Sequence, residues 1–272
     1  MVGKKESTFN IMVLKLAKLQ YFFLGCLIIV SSSCKQEPKD KASEFELLPR
    51  NSYYVDSYND IGIYRFNDSN KVMDGYYVIG NKTSKWEEFS VKEGVLNGDY
   101  IIFHSNGEIF SHSQYLNGKL HGKEKMYSLS GKLKSLKTYK QGVPYGKKIT
   151  YFESGEIQSE SMYENEQIIE STSYNIIGEI VSQMFIKEGR KITQQIKSGK
   201  VYSEQISSTY DDFEAMKFYN EDGSLNVYLR MLEDDDNSFL IELNENGEEI
   251  KRIDVKANPQ EAMKYFQYMQ EL

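Results

Sequence analysis

The sequence predicts an all-β fold, an elongated single antiparallel meander of repeated hairpins that ends in a short C-terminal helix. Three observations lead to this prediction. The 272 residues include 21 Tyr, 14 Phe and 19 Gly but only four Pro, a composition that favours strands joined by tight turns. Glycines recur in register from Gly94 onwards, and a helix start signal stands near the C-terminus, at Asn258.

Overall composition excludes several classes of protein. The chain carries 33 Lys and Arg against 40 Asp and Glu, a formal net charge of −7. Nucleic-acid binding depends on clustered Lys and Arg, so we expect no nucleic-acid partner. Two cysteines are too few for a disulfide scaffold.

The first 33 residues have the pattern of an export signal. A basic start with Lys15 and Lys18 precedes an apolar run from Leu19 to Val30. Twelve apolar residues are fewer than the roughly 20 that a membrane-spanning helix needs, and they match the apolar core of a secretory signal. We therefore interpret residues 1–33 as a signal peptide.

The segment Ser31-Ser32-Ser33-Cys34 resembles a bacterial lipobox. The resemblance implies cleavage before Cys34 and acylation of its sulfur with fatty acids such as palmitate, which would anchor the protein to a membrane. Lys35 after the cysteine resembles outer-membrane sorting, so we expect a lipid-anchored protein of the bacterial cell envelope, in the outer membrane. A plain signal peptide with an incidental cysteine is the alternative. Residues 34–50, with their prolines and charges, are predicted to form a tether.

A 24-residue repeat follows. Three glycine columns define three clear repeats over residues 94–165, with degenerate hairpins before them at 51–93 and degenerate repeats after them at 166–256. Asn-Gly and Ser-Gly pairs in the columns indicate tight turns between strands, because glycine accepts the positive φ of such turns. The repeat glycines are Gly94, Gly98, Gly107, Gly118, Gly122, Gly131, Gly142, Gly146 and Gly155. Gly178, Gly199, Gly223 and Gly247 continue the turn column.

Aromatic residues recur beside the turns, and the middles of the strands are polar. We expect the rings to stack across strands on one face of the sheet; a ligand platform is the alternative. Serines such as Ser111, Ser135 and Ser159 occupy strand middles, so we predict a thin sheet without a two-layer core. The aromatic columns are Phe103, Tyr115, Tyr127, Tyr139, Tyr151 and Tyr163.

The segment from Tyr115 to Gly122, Tyr-Leu-Asn-Gly-Lys-Leu-His-Gly, resembles a MORN-type repeat, and the segment from Tyr139 to Gly146 repeats it. The resemblance is to the variant form found in the bacterial YwqK-like, antitoxin family. It implies an elongated sheet of hairpins, no catalysis, and a role in binding or assembly.

Residues 257–272 are predicted to form a capping helix. Asn258 is a typical N-cap, with Pro259 at the first helical position and Glu261 at the third. Ala262, Tyr265, Phe266 and Met269 then fall on one helical face. The helix would cover the last strand edge, which is otherwise prone to aggregate; a docking helix for a partner is the alternative.

No catalytic residue, metal site or cofactor is expected. The histidines, His104, His112 and His121, show no metal-ligand spacing. Glu108 and Glu156 follow equivalent turns two repeats apart, about 20 Å, too far for a catalytic pair.

Two further features are interpreted structurally. The acidic run at residues 233–237 lies between hairpins and lacks the glycine and the terminal glutamate of a calcium loop, so we expect a solvated turn. Trp86 is interpreted as a packing anchor rather than a sugar platform.

These observations favour a non-enzymatic cell-envelope lipoprotein, a monomer whose repeat surface binds a protein or envelope partner. Its membrane contact would be the lipid at Cys34. The first alternative is an immunity or antitoxin protein that neutralises a cognate toxin. The second is an envelope enzyme that acts on glycan.

Overall fold

The computed structural model describes residues 46–234 and 237–269. The predicted signal peptide and the predicted lipidation site, Cys34, lie outside the described residues. Within the described ranges, no helix is long and apolar enough to cross a membrane.

The described chain contains nineteen strands and one helix, α1 (Pro259–Met269). The first nine strands are β1 (Glu46–Leu48), β2 (Tyr53–Tyr58), β3 (Ile61–Phe66), β4 (Gly75–Gly80), β5 (Lys85–Lys92), β6 (Val95–Phe103), β7 (Ile109–Leu116), β8 (Lys119–Tyr127) and β9 (Leu133–Lys140). The others are β10 (Val143–Tyr151), β11 (Ile157–Glu164), β12 (Gln167–Tyr174), β13 (Ile180–Lys187), β14 (Arg190–Lys197), β15 (Lys200–Ser208), β16 (Glu214–Tyr219), β17 (Leu225–Asp234), β18 (Asn237–Leu243) and β19 (Glu249–Asp254).

One long sheet of 17 strands dominates the fold. From β4 to β19, each strand pairs antiparallel with the next one along the chain, for example β4 with β5 and β18 with β19. The predicted all-β meander and its C-terminal helix are therefore confirmed.

The N-terminal region adds two features that the sequence did not predict. Strand β1, which falls within the residues 34–50 predicted to form a tether, pairs with β4 in parallel, with Leu47 opposite Val78. Strands β2 and β3 form a separate two-stranded sheet. Because this hairpin is inserted between β1 and β4, the chain returns to the main sheet in the same direction, and the pair is parallel.

Two kinds of turn alternate between the two sides of the main sheet. On the long-turn side, the Gly107 N–H donates to the carbonyl of His104 at 3.0 Å, and the His104 N–H donates to the carbonyl of Glu108 at 2.7 Å. On the short-turn side, two-residue turns such as Asn117-Gly118 have two positive φ angles, 51° and 79°, as in a type I′ turn. Long turns with the same two hydrogen bonds recur around Gly131, Gly155, Gly178, Gly223 and Gly247.

Two connections between strands are shorter than the long turns. Gly199 lies on the long-turn side but in a two-residue turn with Ser198, between the paired residues Lys197 and Lys200. This shorter turn contributes to the irregular spacing of the repeat there. The acidic run at 233–237, predicted to form a solvated turn, lies at a short connection, because Asp234 at the end of β17 pairs directly with Asn237 at the start of β18; residues 235–236 lie outside the described residues.

Cross-strand pairing also defines the two faces of the sheet, since paired residues share a face. The face that carries Phe89 is called the front face. One unbroken row of pairs leads along it from Phe89 through Lys137 and Lys148 to Leu229. The opposite face is called the back face.

A second layer covers both ends of the front face. At the N-terminal end, the rings of Tyr53 and Tyr64, from the β2–β3 hairpin, lie 5.3 and 5.2 Å from the ring of Phe89. At the C-terminal end, Ala262 of α1 is fully buried in a cluster that includes Leu229. The prediction of a thin sheet without two-layer packing is therefore wrong at these ends, where apolar strand residues replace the polar ones.

The back face has a cluster of its own near the C-terminal end. Ile206, Tyr228 and Ile241 are buried there. Cationic side chains lie over its rings, with the Arg190 guanidinium 4.2 Å from the centre of the Phe213 ring. The apolar stems of such side chains shield the cluster while their charges stay hydrated.

Candidate binding surface

The middle of the front face carries two rows of side chains that are polar except for Met184, called here the hydroxyl ladder. Each rung is directly paired with the next across the strands β9 to β15. The first row is Ser135, Thr150, Ser159, Ser173, Ser182, Gln195 and Ser203. The second row is Lys137, Lys148, Ser161, Ser171, Met184, Thr193 and Gln205.

The repeat explains the alignment of the first row. A serine stands four residues after the long-turn-side glycine in five successive repeats, from Ser111 after Gly107 to Ser203 after Gly199. Because side chains alternate between faces with a period of two, equal spacing from equivalent turns brings the first four of these serines to the front face. Ser203 follows a shorter turn and reaches the same face through its pairing with Gln195. The Thr150 and Ser159 hydroxyls lie 2.6 Å apart and so form a hydrogen bond.

Only part of the ladder was predicted from the sequence. Ser135 and Ser159 were recognised as polar strand middles, but the continuation through β12 to β15 was not. The signal that could have found the first row is the serine at a fixed offset from the turn glycine, which survives where the rest of the repeat weakens. The second row has no comparable signal, since its register depends on bulges.

The ladder is positively charged, unlike the chain as a whole. Its two rows hold Lys137 and Lys148 and no carboxylate, whereas the whole chain has a net charge of −7. The two lysines are directly opposite each other on β9 and β10. Like charges in this arrangement repel and destabilise the sheet.

Aromatic rings bound the ladder on the short-turn side. The Lys137 ammonium lies 4.7 Å from the centre of the Tyr139 ring and 5.3 Å from that of Tyr163, distances typical of cation–π contacts. The Tyr139 hydroxyl donates to Glu124 at 3.1 Å. Burial is the largest cause that raises the pKa of Tyr139, while Lys137 acts in the opposite direction.

The expected stack of rings is only partly present. Tyr115 meets Tyr100 with ring centres 6.1 Å apart, but Lys137 separates the rings of Tyr139 and Tyr163. The other aromatic column lies on the long-turn side, where each ring ends its strand and pairs with an aliphatic residue beyond the turn. These pairs are Phe103 with Ile109, Tyr127 with Leu133, and Tyr151 with Ile157.

The repeat glycines occupy three distinct places. One column lies in the short turns, one within strands opposite the tyrosine column, and one in the long turns, and all have positive φ. The short-turn column is Gly94, Gly118 and Gly142. The within-strand pairs are Gly98 with Tyr115, Gly122 with Tyr139, and Gly146 with Tyr163. The long-turn column is Gly107, Gly131 and Gly155.

The last rung of the first row is an unsatisfied hydroxyl. Ser203 is only 2% exposed, and among the described residues its Oγ has no hydrogen-bond partner. It lines a cavity of about 100 Å³ together with the ladder residues Thr193, Gln195 and Gln205. A buried hydroxyl without a partner is energetically unfavourable.

A smaller charged site lies on the back face. Lys147 pairs with Glu160 at 2.5 Å, and the Tyr174 hydroxyl donates to the same carboxylate at 3.2 Å. The Lys147 ammonium lowers the pKa of Glu160, and Glu160 in turn raises the pKa of Lys147. Because its charges are matched, this site carries no excess charge for a ligand.

The residues examined for catalysis are dispersed. His112 pairs with Asp99 at 2.9 Å, His104 lies 3.3 Å from the Tyr127 carbonyl, and His121 accepts a hydrogen bond from the Gln141 N–H at 3.4 Å. Over residues 46–234 and 237–269, no group of three His, Cys, Asp or Glu residues could hold a metal ion.

Glu108 and Trp86, considered above for catalysis and for sugar binding, occupy structural positions. Glu108 closes a long turn, and its carboxylate lies next to Gly131 of the neighbouring turn. Trp86 packs beneath the guanidinium of Arg50, 4.9 Å from its ring centre.

Comparisons with known proteins identify the repeat. Residues 120–141 and 144–165 match the MORN repeat variant. A comparison with curated proteins finds no match. Among the solved structures with some similarity is a candidate 6-phosphogluconolactonase from Bacteroides fragilis, 12% identical, with 74% of this chain and 80% of that chain covered and a TM-score of 0.19. A structural similarity with a TM-score this low supports no conclusion about fold or function. The matched repeats contain the first rungs of the hydroxyl ladder.

Proposed function

We propose that this protein is a non-enzymatic binding protein of the bacterial cell envelope, which holds an envelope component or a protein on the hydroxyl ladder. The observation that carries the proposal is the register of the ladder. Seven neighbouring strands place side chains, all polar except Met184, in two aligned rows on a part of the front face that lies between the two hydrophobic clusters. A repeated surface of this kind suits an extended partner.

The family of the matched repeats supports a binding role. MORN repeats are commonly binding or scaffold modules, and two of them span residues 120–165. Glu108 and Glu156 belong to separate turns, which does not favour the alternative of a glycan-cleaving enzyme. No observation on the described residues favours the antitoxin alternative.

The membrane anchor in this proposal is the acylated Cys34. A cell that exports the chain would join fatty acids to the cysteine sulfur and hold the protein at the outer membrane. The test is metabolic labelling with palmitate in cells that express the full chain or its Cys34→Ala variant. Label in the full chain but not in the variant supports the anchor, whereas equal labelling of both contradicts it.

Crosslinking in intact envelopes tests the binding surface. A photo-crosslinking amino acid in place of Ser171 projects from the ladder, and one in place of its neighbour Thr172 projects from the back face, since adjacent strand residues point to opposite faces. Crosslinked products from the position of Ser171 alone are expected. Equal or absent products at the two positions would contradict a function for the ladder.

A further inference from the structure

The two lysines of the hydroxyl ladder have different surroundings. Lys137 lies opposite Glu124 and contacts two tyrosine rings. Lys148 makes no ion pair among the described residues, and its neighbours in the row are Lys137 and Ser161. An anionic group placed between the two ammonium groups would remove their repulsion and gain two charge-assisted hydrogen bonds.

The chemistry of the surface favours a glycan over other anionic partners. Protein interfaces are depleted of Ser and Lys, and their energetic centres are seldom serine. Two cations are too few for a nucleic acid, whose binding requires many phosphate contacts. Serine and threonine hydroxyls both donate and accept hydrogen bonds, as the hydroxyl groups of a sugar do.

The unsatisfied hydroxyl of Ser203 supplies independent support. It is buried and lacks a partner among the described residues, and Ser203 lines a cavity together with other ladder residues and with Glu204, Met216 and Phe218. Five strand spacings separate β15, which carries Ser203, from β10, which carries Lys148, a distance of about 24 Å. A ligand that uses both features must therefore be extended and must lie across the strands.

We propose that the hydroxyl ladder binds an acidic polysaccharide, which lies across the strands with a carboxylate between Lys137 and Lys148 and a hydroxyl group in the cavity at Ser203. The proposal rests on the binding function assigned to this surface and specifies the class of its partner. The polar rungs between the two ends would exchange hydrogen bonds with successive sugar units, whereas Met184 would offer only an apolar contact.

Titration calorimetry of the full-length protein in detergent tests the proposal, with oligogalacturonate as the acidic probe. Malto-oligosaccharide of equal length is the neutral probe, and polyglutamate is the acidic probe without sugar. We expect oligogalacturonate to bind at least tenfold more tightly than the other two. The double variant Lys137→Ser, Lys148→Ser, which places the common ladder residue at both positions, should weaken its binding about tenfold or more.

A matched control variant removes two positive charges from the back face instead of the front face. Lys123 and Lys125 lie on β8, opposite Thr138 and Leu136 of β9. These two β9 residues alternate with the ladder residues Ser135 and Lys137, so they and the lysines paired with them project from the back face. The Lys123→Ser, Lys125→Ser variant should bind as the unaltered protein does. Ser203→Ala should weaken binding about threefold to tenfold, and circular dichroism checks that each variant is folded.

The other outcomes separate the two proposals. Equal losses in the front-face and back-face variants, or undetectable binding of oligogalacturonate, would overturn the polysaccharide assignment. Polyglutamate that binds as tightly, through Lys137 and Lys148, would also overturn it and would leave the binding function of the ladder intact. The crosslinking comparison at Ser171 and Thr172 tests that function without any assumption about the partner.

Discussion

Gly122 of β8 lies directly opposite Tyr139 of β9. The same pairing of glycine with tyrosine recurs one repeat earlier and one repeat later, at Gly98 with Tyr115 and Gly146 with Tyr163. On its other side, Gly122 lies in an irregular stretch where residues 121–123 oppose only Gln114 of β7. The glycine therefore serves a bulge that faces an aromatic ring, and bulges of this kind bend and twist a sheet.

Gly122→Ala should destabilise the protein more than Gly146→Ala does. Both residues have positive φ, 107° and 68°. A Cβ at Gly122 would lie 2.5 Å from Oε1 of Gln114, which accepts a hydrogen bond from the Lys123 N–H, and 3.2 Å from its Cβ, whereas at Gly146 nothing lies within 4 Å. We expect an additional loss of about 1 kcal/mol. Urea unfolding of the two variants, followed by circular dichroism, measures it, and equal midpoints would contradict the account.

The short turn at Gly118 supports the N-terminal hairpin. A Cβ at Gly118 would lie 2.5 Å from Cγ2 of Ile61, at the start of β3, whereas one at Gly142, in the next short turn, meets only Lys119 at 3.9 Å. Gly118→Ala should therefore displace the β2–β3 hairpin and expose it to proteolysis, and Gly142→Ala should not. Adding Ile61→Ala to the first variant should restore part of the protection, since it removes the opposing methyl groups. Digestion rates that are the same in all variants would exclude this contact.

Much of this architecture follows from the sequence, and the exceptions have physical causes. The regular spacing of the glycines predicts that Gly107 and Gly131 lie in equivalent turns, because few other residues tolerate the positive φ that these turns require. The packing of Tyr64 on Phe89 is not encoded by any local pattern, since it joins a hairpin outside the repeat to the face of the main sheet. The ladder was found only in part because the offset from the turn glycine predicts Ser182 but not its partner Ser173, whose register depends on a bulge next to Tyr174 that sequence spacing does not reveal.

Two half-buried tyrosines share one carboxylate, and this makes the stability of the protein depend on pH in the alkaline range. The hydroxyls of Tyr53 and Tyr100 donate to Oε2 of Glu87 at 2.8 and 2.7 Å. Burial first, and then the charge of Glu87 and the hydrogen bond to it, raise the pKa of both tyrosines above its usual value near 10. The folded protein thus holds these protons more tightly than the unfolded chain, so its free energy of unfolding should fall as pH rises above about 10.

Glu87→Gln should lower the pKa of both tyrosines, because it removes the charge but keeps an acceptor oxygen. Ultraviolet absorbance of tyrosinate in the folded protein measures the titration, and part of it should move to lower pH. Glu108→Gln, in an exposed turn, should leave the curve unchanged. A curve for Glu87→Gln identical to that of the unaltered protein would show that the charge of Glu87 does not act on these rings.

The C-terminal helix protects the last strand, and one substitution separates this role from that of a free docking helix. Ala262 is fully buried against the cluster of the front face, whereas its neighbour Met263 is 66% exposed. The Tyr265 hydroxyl donates to Glu242 at 2.7 Å, and Glu261 pairs with Lys251 of β19 at 2.7 Å.

Ala262→Leu overfills the contact between α1 and the sheet and should cost about 1–3 kcal/mol of stability, while Met263→Leu should have little effect. With α1 displaced, the amide protons of β19 should exchange faster, and the uncovered edge should promote aggregation. Unchanged exchange in Ala262→Leu would favour the docking alternative, since a helix that leaves the sheet to bind a partner does not protect β19.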